Sequence, residues 1–146
     1  MNSDEALAHV AKLVAGRDKT VAQVQQALER KGCTPDLIDA TVQRARTLGY
    51  LDDARVAVRF ASDALSDGWV GEALFAKLEA KGLEPKVLEG AIDQARRALN
   101  FDDVGAARRL LAKKRVDGVK AARFLASRGY SHELIERLVG TLGADG

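Results

Sequence analysis

Gly49-Tyr50-Leu51-Asp52-Asp53-Ala54-Arg55 is the stretch on which the fold of this chain turns. A glycine after an apolar helical run supplies a left-handed C-cap, and an Asp pair just beyond it can cap and charge-stabilise the start of the next helix. One helix therefore closes at Gly49 and another opens near Asp53. The acidic pair returns fifty residues later, in Asn100-Phe101-Asp102-Asp103, so the joint itself is repeated.

Three further glycines keep the same register: Lys31-Gly32, Lys81-Gly82 and Arg128-Gly129, each four residues after a leucine (Leu28, Leu78, Leu125). Equal steps beyond each glycine reach Leu37, Ile38, Thr41, Val42 and Ala45, then Val87, Leu88, Ala91, Ile92 and Ala95, then Leu134, Ile135, Leu138, Val139 and Leu142. Fourteen of these fifteen positions are apolar, where a composition of 47% hydrophobic would give about seven, and their spacing is one face of an α-helix. The chain is thus read as a three-fold internal repeat.

Helix-start signals agree. Pro35 and Pro85 occupy first helical positions, Ser131 is an N-cap in the matching slot, and Thr20 with Gln23 has capping-box spacing. The pattern predicts helices over 4–15, 20–31, 35–48, 53–66, 70–81, 85–99, 103–115, 118–128 and 132–142, and no sheet. The expected fold is all-α: three tandem three-helix repeats, at 1–53, 54–103 and 104–146, in one elongated array that is free to curve. Each unit of some fifty residues is rich in alanine and has a marginal core by itself, so stacking supplies the missing burial.

Charge singles out the last unit. Residues 1–53 hold seven Lys and Arg against eight Asp and Glu, residues 54–103 seven against nine, and residues 104–146 nine against four, balances of −1, −2 and +5. The basic set is Arg108, Arg109, Lys113, Lys114, Arg115, Lys120, Arg123 and Arg128. A positive surface of this kind attracts phosphate or carboxylate partners. The competing reading is a solvated helical surface. Arg109 and Lys113 lie opposite the apolar face of their helix, whereas Lys114 and Arg115 do not join them, so the set forms a basic end rather than a stripe.

Other chemistry is weakly represented. The acidic start of the chain, interrupted further on by His9 and Lys12, does not read as a secretory signal, and no apolar run is long enough to cross a bilayer. One cysteine excludes an internal disulfide framework and fits a reducing cytoplasm; Cys33 follows the repeat glycine, a slot for a hydrophobic contact, and is read as a structural thiol. His9 and His132 lack the partners of a metal site, and neither a phosphate-binding loop nor a nucleophile elbow is present. No cofactor or catalytic residue is expected. Trp69, in the turn Asp67-Gly68-Trp69-Val70-Gly71, is read as pinning that turn to the core in preference to stacking a base.

Gly49 to Arg55, followed by Phe60 and Lys81-Gly82-Leu83, together with Arg128-Gly129-Tyr130-Ser131 and Leu134-Ile135, resembles the RecX family of bacterial recombination regulators over essentially the whole chain. The resemblance implies three tandem three-helix repeats. It also implies a cytoplasmic modulator, monomeric and without a membrane partner, that binds the RecA filament on single-stranded DNA along its groove. Such a modulator restrains the filament's ATPase, coprotease and strand-exchange activities, with at most weak binding to DNA alone. Between residues 61 and 75 the chain departs from the family pattern, with Asp63, Asp67 and Glu72 where Arg and Lys are usual. Two other readings stand beside it: a helix-turn-helix DNA-binding module, disfavoured by Asp36, Asp39, Glu89, Glu133 and Glu136 at the helix starts that would approach the bases, and a generic helical adaptor.

Overall fold

A computed structural model describes residues 1–140, and among these the chain forms nine α-helices and no strand. They are α1 (Ser3–Gly16), α2 (Val21–Arg30), α3 (Pro35–Thr47), α4 (Asp53–Ser66), α5 (Gly71–Glu79), α6 (Pro85–Leu99), α7 (Asp103–Lys114), α8 (Gly118–Ser127) and α9 (His132–Val139). Helices pack chiefly within the triplets α1–α3, α4–α6 and α7–α9. The accessible surface of 9163 Å² exceeds the roughly 7,300 Å² of a compact monomer of 15.7 kDa, as an elongated array of helices should.

The repeat stripe faces the core. Ile38, Val42 and Ala45 of α3, Leu88, Ala91 and Ala95 of α6, and Leu134 and Ile135 of α9 are buried. The one polar member, Thr41, is fully buried; its hydroxyl donates to the Leu37 carbonyl at 2.7 Å, which satisfies it without a tertiary partner. The ninth helix stops at Val139 because Gly140, at φ 88°, leaves the helical region. Leu142 lies outside the described residues.

Burial is not divided three ways. One apolar cluster belongs to α1–α3 with Leu51, and a second, continuous one is shared by α4–α9. Between them lies a polar joint. The Thr20 hydroxyl, fully buried at the start of α2, donates to the Lys81 carbonyl at 2.7 Å, and the Asp53 carboxylate accepts from the Val21 N–H at 2.9 Å. Gly82, at φ 86°, follows Lys81 with no room for a side chain: a Cβ there would lie 2.2 Å from Cβ of Ala22. A matching joint links the second and third triplets, where the Val70 N–H donates to the Arg128 carbonyl at 2.9 Å and a Cβ on Gly129 would lie 1.8 Å from the Val70 oxygen.

The acidic pairs cap and charge their helix starts as expected, and the two members divide that labour. Asp52 accepts from the Arg55 N–H and Asp102 from the Gly105 N–H, so each first Asp is the N-cap. A helix has a single N-cap position, and the second Asp falls at N1 with its carboxylate free for another partner. Asp53 reaches across to α2, and Asp103 pairs with Arg96. Thr20 and Gln23 form the expected capping box, and Asn2 with Glu5 forms another that the sequence pattern alone did not single out.

Tyr130, in the slot after Gly129, is buried with its hydroxyl unpartnered among the described residues. Burial, followed by the charge of Asp103, pushes its phenol up to about 12 against the pull of Arg109, Arg128 and Arg96. Because the folded state favours the neutral phenol, this contribution is complete below the unfolded value of about 10 and is lost as pH rises through about 12. Tyr130→Phe removes an unsatisfied hydroxyl, so it should be neutral or stabilising by up to about 1 kcal/mol at pH 7. It should also abolish the alkaline loss in that window. Denaturant midpoints from pH 7 to 12 would check both; a destabilised Phe variant would mean that the hydroxyl has a partner.

Candidate functional site

The basic residues of the third triplet do not share one environment. Arg128 is half-buried at the joint, its guanidinium 4.4 Å from the centroid of Trp69 and 4.9 Å from that of Phe124, with one N–H reaching the Asp67 carbonyl at 3.4 Å. Lys114 lies over the same Phe124 ring at 5.4 Å. Cation–π contacts of this kind favour particular side-chain positions, so both cations rest against aromatic rings in the free chain. The Trp69 ring packs against the shared core and carries Lys77 at 4.7 Å as well as Arg128, which places it in the pinning role. Arg108, Arg115, Lys120 and Arg123 are exposed.

Arg109 and Lys113 are different. One helical turn apart on α7, they line a cleft of about 430 Å³ between the second and third triplets. Its opposite wall is the end of α4, including Asp67 and Gly68, and the end of α6 with Leu99 and Phe101. Leu110 packs so closely on Gly68 that a Cβ there would meet its methyl at 2.7 Å, which fixes the approach of α7 to α4. Among the described residues neither Arg109 nor Lys113 has a carboxylate within ion-pair distance. Leu99, 42% exposed, adds an apolar contact. Two unpaired cations beside an exposed leucine suit a ligand that carries phosphate or carboxylate groups and some apolar surface.

Leu99 and the end of α4 were not anticipated from the sequence. A signal existed: leucine directly precedes the left-handed residue ending both α3 and α6, as Leu48 before Gly49 and Leu99 before Asn100, and both leucines are exposed. Asp36, Asp39, Glu89, Glu133 and Glu136 are all exposed on the early turns of α3, α6 and α9. Carboxylates there would face DNA phosphates unfavourably, which counts against base reading by these helices. Cys33 is half-buried against the first core with its sulfur 3.8 Å from that of Met1, and His132 faces Glu136 at 3.0 Å. Among the described residues no group of three or more His, Cys, Asp or Glu could hold a metal ion, and no helix is long and apolar enough to cross a membrane.

The family model described as RecX, first three-helix domain, matches residues 6–44. A Regulatory protein RecX from Syntrophotalea carbinolica is 33% identical over 75 residues, an alignment spanning 51% of this chain and 49% of that relative. The crystal structure of RecX from Lactobacillus salivarius superposes with a TM-score of 0.74 at 16% identity, covering 97% of this chain and 96% of that one. The chain is thus similar to RecX proteins in its first helices and in fold, and it spans about half the length of the curated relative it matches. A second crystal structure, of regulatory protein RecX, has a TM-score of 0.73 at 15% identity over 94% of this chain and 72% of that one. At such identities the two structures establish the RecX-like fold, and the family-model match, residues 6–44, lies outside the cleft. In this chain the run Gly49 to Arg55 is a structural joint: Gly49 is left-handed, Leu51 is buried, and the two Asp side chains hold helix starts.

Proposed function

We propose that this chain is a regulator of RecA that binds the recombinase filament on single-stranded DNA and restrains its ATPase, coprotease and strand-exchange activities. It does so as a cytoplasmic protein built of units 1–53, 54–103 and 104–146. Similarity to RecX proteins in sequence and fold supports the partner. The observation that carries the placement is the unpaired Arg109–Lys113 wall of the cleft, in the unit with the +5 balance. Arg108, Lys120 and Arg123 add long-range attraction, while Lys114 and Arg128 keep their neighbours ordered. The acidic middle unit contributes shape rather than charge.

Co-sedimentation with RecA on single-stranded DNA, compared with the same DNA alone, tests the partner: binding to both alike would favour a DNA-binding module, and binding to neither a different adaptor role. Arg109→Glu with Lys113→Glu tests the site. For every phosphate that the variant no longer neutralises, the slope of log affinity against log salt should flatten by about 0.7, the single-strand value, and inhibition of RecA ATPase should weaken. Both side chains are exposed, so the melting temperature should stay nearly unchanged. Full inhibition with an unchanged slope would remove the cleft from the binding surface.

A further inference from the structure

The two internal joints follow one plan, with a side-chain hydroxyl as donor in the first and a backbone N–H in the second, and among the described residues one half of each kind is left unpaired. In both joints a carbonyl on the turn after a second helix, Lys81 after α5 or Arg128 after α8, accepts a hydrogen bond from the start of the preceding triplet's second helix. The next residue is a left-handed glycine pressed against that start. The turn after α2 has the same form: Gly32 sits at φ 82°, beside 86° for Gly82 and 96° for Gly129, and the Cys33 N–H returns to Leu28 as the Tyr130 N–H returns to Leu125. Among the described residues nothing lies within 4 Å of where a Cβ on Gly32 would be.

The opposite end carries the receiving half. Val70 and Gly71, which hold the Arg128–Gly129 turn, have φ −141°, ψ 172° and then φ 52°. Asp117 and Gly118, at the start of α8, have φ −140°, ψ 177° and then φ 56°. A Cβ on Gly71 would meet the Gly129 carbonyl at 2.7 Å, whereas the same position on Gly118 is open among the described residues. The ends are also opposite in charge. Arg30 and Lys31 flank the free turn, and Asp117, exposed and making no cap hydrogen bond, stands at the free receiver.

We propose that these ends meet between copies, the Lys31–Gly32 turn of one chain seating on Asp117–Gly118 of the next, as a continuation of the internal joint. The contact is heterologous, so it propagates as an open head-to-tail series and does not close into a symmetric dimer. The internal joints are small beside the packing within triplets, so the contact is weak in dilute solution. It becomes populated when copies are concentrated or held on a common track, where the effective concentration is high.

The test uses the full chain without RecA, so its outcome is independent of the proposed function. A Cys33→Ser background carries cysteines introduced by Lys31→Cys and Asp117→Cys, and a short bis-maleimide is added over a range of protein concentration. The expected product is a ladder of dimers, trimers and longer chains, at least several-fold stronger than from a comparator pairing Lys31→Cys with Lys86→Cys on α6. A ladder no stronger than the comparator's, products that stop at dimers, or cross-linking within one chain would each overturn the proposal. Sedimentation velocity of the chain without substitutions should show mean mass rising with concentration, and Asp117→Arg should reduce that rise several-fold. A mass independent of concentration up to millimolar protein would also overturn it.

Discussion

Gly129→Ala is expected to destabilise the chain by about 3 kcal/mol or more, although alanine is the better helix former. Two costs add. The residue sits at φ 96°, where any side chain is strained, and its Cβ would lie 1.8 Å from the Val70 oxygen and 2.8 Å from the Val70 carbonyl carbon. Backbone cannot swing aside as the tip of a side chain can, so the Arg128 carbonyl must give up its hydrogen bond from Val70. Gly32→Ala is the matched control, with φ 82° and open space, and should cost only about 1 kcal/mol. Urea unfolding followed by Trp69 fluorescence reads the difference directly, because Trp69 stacks on Arg128 at this joint. Equal losses from the two substitutions would mean that the second and third triplets are not held by this contact.

Leu28→Ala and Leu88→Ala should each cost about 2–5 kcal/mol, since both side chains are fully buried. Their reach should differ. Leu28 belongs to the cluster of α1–α3, and Leu88 to the cluster running through α4–α9. Hydrogen exchange measured by mass spectrometry should therefore speed up in residues 3–47 for Leu28→Ala with little change beyond Asp53. For Leu88→Ala it should speed up together in α4–α6 and α7–α9. Uniform acceleration in both variants would mean that the polar joint at Thr20, Val21 and Asp53 transmits cooperativity as well as a continuous apolar core does.

Much of the fold was legible because its signals are local. Helical periodicity, Pro35 and Pro85 at helix starts, the Thr20–Gln23 box and the glycines at helix ends depend on a few neighbouring residues, and each is present in the structure. The candidate site was legible only in part. Composition picked out the basic third unit, but it could not tell Arg128, clamped between two aromatic rings, from Arg109 on an open wall. Nor could it put Leu99 and Lys113 on one cleft, since that arrangement arises from how α7 approaches the ends of α4 and α6.

By itself the sequence determined the helical class, the helix boundaries to within a few residues, the threefold register and the charge of the last unit. All of these follow from short-range backbone preferences and the periodic placement of apolar groups. Tertiary structure alone decided that burial forms two cores and not three, and that Asp53 serves a helix thirty-two residues earlier in the chain. It also decided which cations stay free. Such features depend on the packing angle between units, and that angle is set by close contacts such as Gly82 on Ala22 and Gly129 on Val70, whose partners lie too far apart in the chain for any local pattern to record.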